Sequence, residues 1–238
     1  MSKPYVSLIL ALYNEGPTLE QSLKTIYKSL QEIKKTWEVI LVEDKSTDDT
    51  SVTVQKLLPY LKNTKLILHK ENQGRGKTVS DGIKTAKGTY CGFLDVDLEI
   101  SSDYIPLFTK ELDKGFDMVV GNRFYEKKLT AVSRILTSIG YKLIVHFLLK
   151  LPIDDTESGY KFFEREKILP VLSKITEKGW FWDSEICARA YWAGLKISQI
   201  PVLFIRRVDK KSTVKLIPDT WDYLKKIYKF RTQIPGRI

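Results

Sequence analysis

Cysteine, histidine and long apolar runs are scarce in this sequence, and each scarcity removes a class of protein. The two cysteines, Cys91 and Cys187, lie in apolar surroundings with no CxxC or Cys/His spacing. That argues against a disulfide framework or a zinc site and predicts two buried free thiols in a reducing compartment. The two histidines, His69 and His146, fall in no motif and read as structural. The most apolar stretch, 143–149, is too short to span a bilayer, and His146 interrupts it. Met1-Ser2-Lys3-Pro4 runs straight into a strand-like segment without a signal-peptide pattern, and no asparagine opens a glycosylation sequon. The expectation is a cytoplasmic protein. No Pro/Gly/Ser-rich linker, repeat or low-complexity segment divides the 238 residues, enough for one large α/β domain or a domain with an extension.

What is abundant is positive charge. A formal net charge of +10 points to an anionic partner: nucleic acid, a phosphorylated small molecule or an acidic membrane surface. Charge alone does not choose among them. No zinc-finger or RNP-type pattern accompanies it, so a basic nucleic-acid-binding module stays a remote alternative. Hydrophobic content of 43% with 11% aromatics suits a folded globular chain.

The first half alternates strands and helices. Val6-Ser7-Leu8-Ile9-Leu10-Ala11-Leu12 is a near-continuous apolar run, as a central parallel strand requires. After a turn at Tyr13-Asn14-Glu15-Gly16-Pro17, Thr18 and Gln21 form a capping-box pattern, and Leu19, Leu23, Ile26, Leu30 and Ile33 recur at helical spacing. A second strand, 38–42, ends in Glu43-Asp44-Lys45-Ser46-Thr47, and a helix with Val52, Val54, Leu57 and Leu58 precedes a third strand at 66–68. This is the pattern of a doubly wound nucleotide-binding half. Asn72-Gln73-Gly74-Arg75-Gly76-Lys77-Thr78 then opens a helix to about Ala86; Glu71 stands where a Walker A loop needs glycine, so that pattern fails. A glycine turn before a helix still suits either a simple turn or a phosphate cradle.

The stretch with most chemistry is Tyr90-Cys91-Gly92-Phe93-Leu94-Asp95-Val96-Asp97-Leu98-Glu99. An apolar run breaks into acids at the carboxyl end of a strand, where open α/β sheets bind ligands. Asp95 and Asp97, at i and i+2 on an extended segment, point the same way and suit one hard cation. Spacing alone fits a strand running into an acidic surface turn equally well.

A helix from Asp103 to about Leu112 and a strand at 117–120 come next, delivering Gly121-Asn122-Arg123. Residues 131–149 read as a helix with a broad apolar face, which suits a core helix, a lipid-facing one or a dimer contact. An acidic loop from Asp154 leads into a strand near Tyr160, and Asp183 and Glu185 open a helix that ends before Gly194. Residues 197–205 supply one or two strands broken by Pro201. The densest basic cluster, Arg206 to Lys215, reads as a solvated loop or as a segment closing over phosphates. Residues 216–230 form an amphipathic helix pattern that would cover the core or lie on an anionic bilayer.

Together these stretches resemble the family 2 glycosyltransferases of GT-A fold, and within them the dolichol- or polyprenyl-phosphate mannosyl and glucosyl transferases. The resemblance runs from Val6 to about Lys215. Ala11-Leu12-Tyr13-Asn14-Glu15 is similar to the PxYNE opening that lines the nucleotide pocket, with Ala11 in place of proline. Val42-Glu43-Asp44-Lys45-Ser46-Thr47 is similar to VDDGST, in which an aspartate reads the base, so Val42 and Asp44 carry over. Asn72 to Lys77 resembles the N-x-G-K-G segment near the sugar-nucleotide, with Lys77 taken as its cation. Asp95-Val96-Asp97 matches the metal-holding DxD, and Glu99 stands where lipid-phosphate members often place a further ligand. Arg123, Arg134 and Ser138 match residues that the resemblance implies for gripping acceptor phosphate. Asp155 to Lys161 is similar to D-x-x-x-G-[FY]-[KR], and Asp183-Ser184-Glu185 to the acidic pair after it. Arg207 and Ser212 sit at the spacing of R-x-x-G-x-S-K, with Lys210 and Thr213 as departures and Lys211 beside them.

The resemblance implies a single GT-A catalytic domain over 1–238, a Rossmann-like, mostly parallel sheet flanked by helices. Residues 1–122 would bind the nucleotide-sugar, 123–215 the acceptor, and 216–238 would form the helix and tail. It implies transfer of mannose or glucose, with inversion, from a GDP- or UDP-linked sugar to a polyprenyl or dolichyl phosphate. Mg²⁺ or Mn²⁺ on Asp95, Asp97 and Glu99 would offset charge on the leaving diphosphate. Arg207, Lys211 and Lys215 would add to that when their loop closes. An ionised phosphate acceptor needs cations such as Arg123 and Arg134 rather than a strong base. A glycan hydroxyl acceptor, the main alternative, would need a base, and Asp155, Asp183 and Glu185 are the candidates. A nucleotidyltransferase would share fold and metal and release pyrophosphate. The family's C-terminal transmembrane helices are missing from the pattern, so the expected protein is peripheral on the cytoplasmic face of a membrane, with or without an anchoring subunit.

Overall fold

The computed structural model describes residues 3–125, 149–207 and 216–233. Arg134, Ser138, His146, Lys211, Lys215, Ser212 and, apart from Leu149, the helix expected over 131–149 lie outside these residues.

The apolar runs pair into one seven-stranded sheet among the described residues, in the order β3-β2-β1-β4-β6-β5-β7. β1 (Val6–Leu12) lies between β2 (Trp37–Glu43) and β4 (Tyr90–Leu94), parallel to both, and β3 (Thr64–Leu68) joins β2 in parallel. β6 (Tyr160–Glu164) runs antiparallel to β4 and to β5 (Met118–Tyr125), and β7 (Ile197–Phe204) is parallel to β5. β1 and β2 are apolar almost throughout because helices cover both of their faces. Leu8, Leu10, Leu41, Phe162 and Val119 face one layer, packed with α1 (Gly16–Gln31), α2 (Thr50–Leu57) and α4 (Ile105–Asp113). Ile9, Ile40, Val42, Phe93 and Phe163 face the other, with α3 (Arg75–Thr85), α5 (Arg165–Leu172), α6 (Trp182–Trp192) and α7 (Leu216–Arg231). Alternate residues of one strand thus feed two cores.

Several boundaries differ from expectation. α1 starts at Gly16 with no side-chain cap; Pro17 takes the first turn, and the Thr18/Gln21 capping box does not form because Thr18 is already helical. Pro201 does not break β7, which runs through it. The strand is at the sheet's margin, where a missing N–H is tolerated. α7 covers core rather than bilayer over its second half: Ile227 and Phe230 are buried, and Phe230 stacks on Trp192 at 5.2 Å between ring centres. Among the described residues no helix is long and apolar enough to cross a membrane.

Candidate active site

All strands but β6 present their carboxyl ends at one edge, and β6 enters there through the 154–159 loop. Asp44, just past β2, is buried and serves that edge from within. Its carboxylate accepts the backbone amides of Gln73 (2.8 Å) and Gly74 (2.9 Å) and the His69 ring Nδ1 (2.7 Å). The clamp holds Gly74 at φ +90°, a conformation glycine adopts without strain, and so fixes where α3 begins. The base-reading role expected of Asp44 meets a carboxylate already engaged by the loop between β3 and α3. His69, with Nε2 3.3 Å from Asp81, is structural as expected.

Arg75, the first residue of α3, is aimed into the edge. Its Nε (3.1 Å) and Nη2 (2.7 Å) both donate to Asp95 Oδ1, and its Nη1 donates to Asp183 Oδ2. Asp183 also accepts Lys161 Nζ at 2.6 Å, so Asp95, Arg75, Asp183 and Lys161 form a line of alternating charges. Burial works against the Arg75 charge, but Asp183 and Asp95 outweigh it and raise its pKa above the ordinary arginine value. Lys77, the cation expected here, sits two residues on and so on the other side of the helix. It pairs with Asp81 and lines a separate groove with His69, Lys70 and Gln73. The segment was legible in the sequence; the role of its arginine was not, because Arg75 finds its partners 20 and 108 residues away.

A second pair stands across the cleft. Arg123 donates Nε and Nη2 to the two oxygens of buried Asp155 at 2.7 and 2.9 Å, and its amide adds a bond of 3.1 Å. Here too burial opposes the guanidinium charge and the carboxylate outweighs it, raising the pKa. Between the pairs lies a cleft bounded by Asp95, Asp97, Glu99, Arg123, Gly159 and Phe204. Gly159 lets Asp95 sit where it does: a Cβ there would lie 1.8 Å from Asp95 Oδ2, so a larger residue would displace that carboxylate.

The acids do not all converge. Asp97 Oδ1 accepts the Glu99 amide at 3.2 Å, while Glu99 Oε1 accepts the Arg207 amide at 3.0 Å. Among the described residues no group of three or more His, Cys, Asp or Glu is arranged to hold a metal, so Glu99 does not complete a three-acid site. It ties the Arg207 segment to the cleft instead. Asp95 and Asp97 nevertheless fit a hard divalent cation. The Asp95 side chain is 47% exposed toward the cleft, and such ions take one or two carboxylates plus waters and substrate phosphates.

Other expected residues are placed differently. Tyr13 is exposed and Ala11 half-buried at the end of β1, while Glu15 donates its amide to Thr50 Oγ1 at 2.7 Å. Val42 and Val96 put their side chains into the two cores, leaving only main chain for a nucleotide. Glu185 is no candidate base: it is fully buried, accepting the Glu177 amide (2.9 Å) and Arg189 Nε (2.7 Å). Cys91 and Cys187 are buried as expected, and burial pushes both thiols up to about 12.

A family model described as glycosyl transferase family 2 matches residues 7–170. Over 219 residues the chain is 26% identical to the glycosyltransferase AglD of Haloferax volcanii, covering 90% of this chain and 35% of that protein. It is 29% identical over 209 residues to a dolichyl-phosphate beta-glucosyltransferase of Trichomonas vaginalis, covering 83% of this chain and 65% of the relative. A dolichyl-phosphate beta-glucosyltransferase of Dictyostelium discoideum is 28% identical over 214 residues, with the same coverage of 83% and 65%. The chain therefore spans about a third to just under two thirds of these relatives. Among solved structures, glucosyl-3-phosphoglycerate synthase from Mycobacterium tuberculosis in complex with Mn²⁺, uridine-diphosphate and phosphoglyceric acid matches with a TM-score of 0.72. That match covers 98% of this chain and 80% of the other at 16% identity. The same enzyme with Mg²⁺ and uridine-diphosphate gives 0.70 at 16% identity, over 98% and 81%. At such identity the likeness concerns the fold, which is GT-A.

Proposed function

The chain belongs to glycosyl transferase family 2, and on that premise we propose that it moves a hexose from a nucleoside-diphosphate sugar to a polyprenyl or dolichyl phosphate. An acceptor phosphate oxygen attacks the anomeric carbon from the side opposite the diphosphate. The glycosidic bond to that diphosphate breaks, and configuration inverts. Two of the relatives are dolichyl-phosphate beta-glucosyltransferases, which supports glucose and a lipid phosphate.

The observation that carries the reading is the state of the would-be bases. Asp155 is held by both arms of Arg123, and Asp183 by Arg75 and Lys161. Cationic donors already occupy both carboxylates, so the site suits an acceptor that arrives ionised and needs no base. Arg123 borders the cleft and offers the acceptor phosphate a fixed cation; Arg134 and Ser138 are proposed to share that grip. Arg75 lies beside Asp95 on the donor side, where negative charge grows as the bond breaks. Arg207, tied to Glu99, brings a further cation to the rim. Asp95 and Asp97 would hold Mg²⁺ or Mn²⁺, which supplies charge neutralisation for the leaving diphosphate. An anionic membrane surface, or an anchoring subunit at its cytoplasmic face, would present the lipid.

Asp97→Ala tests the core of this reading. Transfer should fall to background, and Mn²⁺ titrated into the protein with nucleoside diphosphate should bind at least about tenfold more weakly. Wild-type turnover in the variant would remove the DxD assignment.

A further inference from the structure

The strands do not end together. β5 meets β6 only over Met118–Val120, whereas its register with β7 runs on from Met118↔Ile197 to Tyr125↔Phe204. Beyond Gly121 the two strands leave the sheet as a two-stranded ribbon. Among the described residues only the isolated bridge of Ile100 to Phe204 flanks this ribbon, which leaves its side chains little to be buried against, so polar residues are expected along it. The sequence supplies aromatics.

In-register neighbours of a parallel pair share a face, and successive residues alternate. Arg123, Tyr125 and Phe204 therefore lie on one face, and Phe124 and Leu203 on the other. The first face borders the cleft: Phe204 lines it, with the Arg123 guanidinium 5.8 Å from its ring centre and the Tyr125 ring 5.4 Å away. On the second, Phe124 is 49% exposed, and Ile205, one residue past the strand, is 58% exposed. Backbone pairing is not what this tip offers, since the Leu203 amide is spent on Tyr104 Oη (3.1 Å) and that of Ile205 on the Glu99 carbonyl (2.8 Å). Side chains are.

Arg206, next to Ile205, is exposed, and Arg207 follows it. In sequence, the stretches after the two strands are rich in lysine, with Lys127 and Lys128 after Glu126 and Lys210, Lys211 and Lys215 around a single Asp209. Bare aromatic and branched side chains beside exposed Arg206 match the boundary of an anionic bilayer. There the apolar tips sink to head-group level and the cations meet lipid phosphates. We propose that the tip of the β5–β7 ribbon, through Phe124, Tyr125, Ile205 and Arg206, docks the protein on an anionic membrane surface. The cleft-facing side of the same ribbon then opens at the lipid–water boundary; this purpose rests on the lipid-phosphate reading above.

Flotation of the full chain with vesicles tests it. Vesicles containing phosphatidylglycerol should carry the protein at least about tenfold better than pure phosphatidylcholine, and salt should weaken the binding. The Phe124→Ser/Ile205→Ser variant should lose about tenfold or more of that binding while still transferring sugar to a short, water-soluble prenyl phosphate. Arg206→Glu, a change at an exposed side chain, should reduce it independently, so a folding defect in the double variant leaves the test intact. Unchanged flotation of both variants would overturn the proposal. So would a wild-type dimer that the double variant dissolves, because the occupant would then be a second copy. Flotation lost in the variants with no transfer by any of the proteins would keep the surface and overturn the lipid-phosphate function alone.

Discussion

A guanidinium divided between two carboxylates, as Arg75 is between Asp95 and Asp183, does more than its charge. It fixes the distance between an acid of the DxD pair and the N-terminus of α6. Arg75→Met leaves buried Asp183 with Lys161 alone, and removing one partner of such a pair costs about 3–5 kcal/mol where it is buried. Transfer should fall at least about a hundredfold, with Arg75→Lys recovering little because one ammonium cannot span both acids. Steady-state kinetics of the two variants check this, and wild-type rates in Arg75→Met would show that Arg75 does not position the site. Glu38 illustrates a residue with no such role. Buried, it accepts Ser7 Oγ, the Lys87 amide and Lys65 Nζ, each at 2.7 Å. Burial raises its pKa, but the bonds from Lys65, Ser7 and Lys87 outweigh that and lower it. A lowered folded pKa stabilises above the unfolded value of about 4.3 and is lost as pH falls through the folded one. Glu38→Gln should therefore cost about 1–3 kcal/mol at pH 7, a gap that closes toward pH 3 in denaturant titrations. At this scale the acids of the DxD pair were legible because an apolar run ends on them. Arg75 and the Arg123–Asp155 pair were not, since a side chain's partner across the fold leaves no local pattern.

Elements bring these side chains together, and their close approaches set what can change. Asp95 borders Gly159 where the 154–159 loop feeds β6, and the Asp95 amide donates to the Gly159 carbonyl at 3.2 Å. Gly159→Ala places a methyl on the Asp95 carboxylate, the free end of a movable side chain. The fold should survive with a loss within about 1–3 kcal/mol, while transfer should drop by about a hundredfold or more as Asp95 is displaced. Thermal melting beside activity separates the two effects; equal activity would show that Asp95 is not held where the site needs it. Strands β1, β2 and β4 and helix α1 follow from apolar runs and helical spacing. The antiparallel sense of β6 and the passage of β7 through Pro201 do not, because both depend on which neighbour a strand finds. Helix α5 carries Pro170 and a short apolar face, and its pattern is too weak to stand out before packing against the β6 side of the sheet.

For the whole molecule, one sheet edge collects the carboxyl ends of the parallel strands, and with them both arginine–carboxylate pairs. The net charge of +10 suits the anionic substrate proposed for this edge and the anionic surface proposed for the ribbon. Fold class was readable from the order of elements. The acceptor class came from the resemblance to polyprenyl-phosphate transferases; what no local pattern records is that Asp155 and Asp183 are engaged by Arg123, Arg75 and Lys161. The most direct measurement is transfer of labelled sugar from UDP-glucose and GDP-mannose, with Mg²⁺ or Mn²⁺, to a short polyprenyl phosphate and to the matching polyprenol. The expected result is an organic-extractable product with the phosphate, formed only with metal, and none with the alcohol. Equal transfer to the alcohol, or transfer to a glycan with no lipid product, would contradict the assignment of an ionised phosphate acceptor.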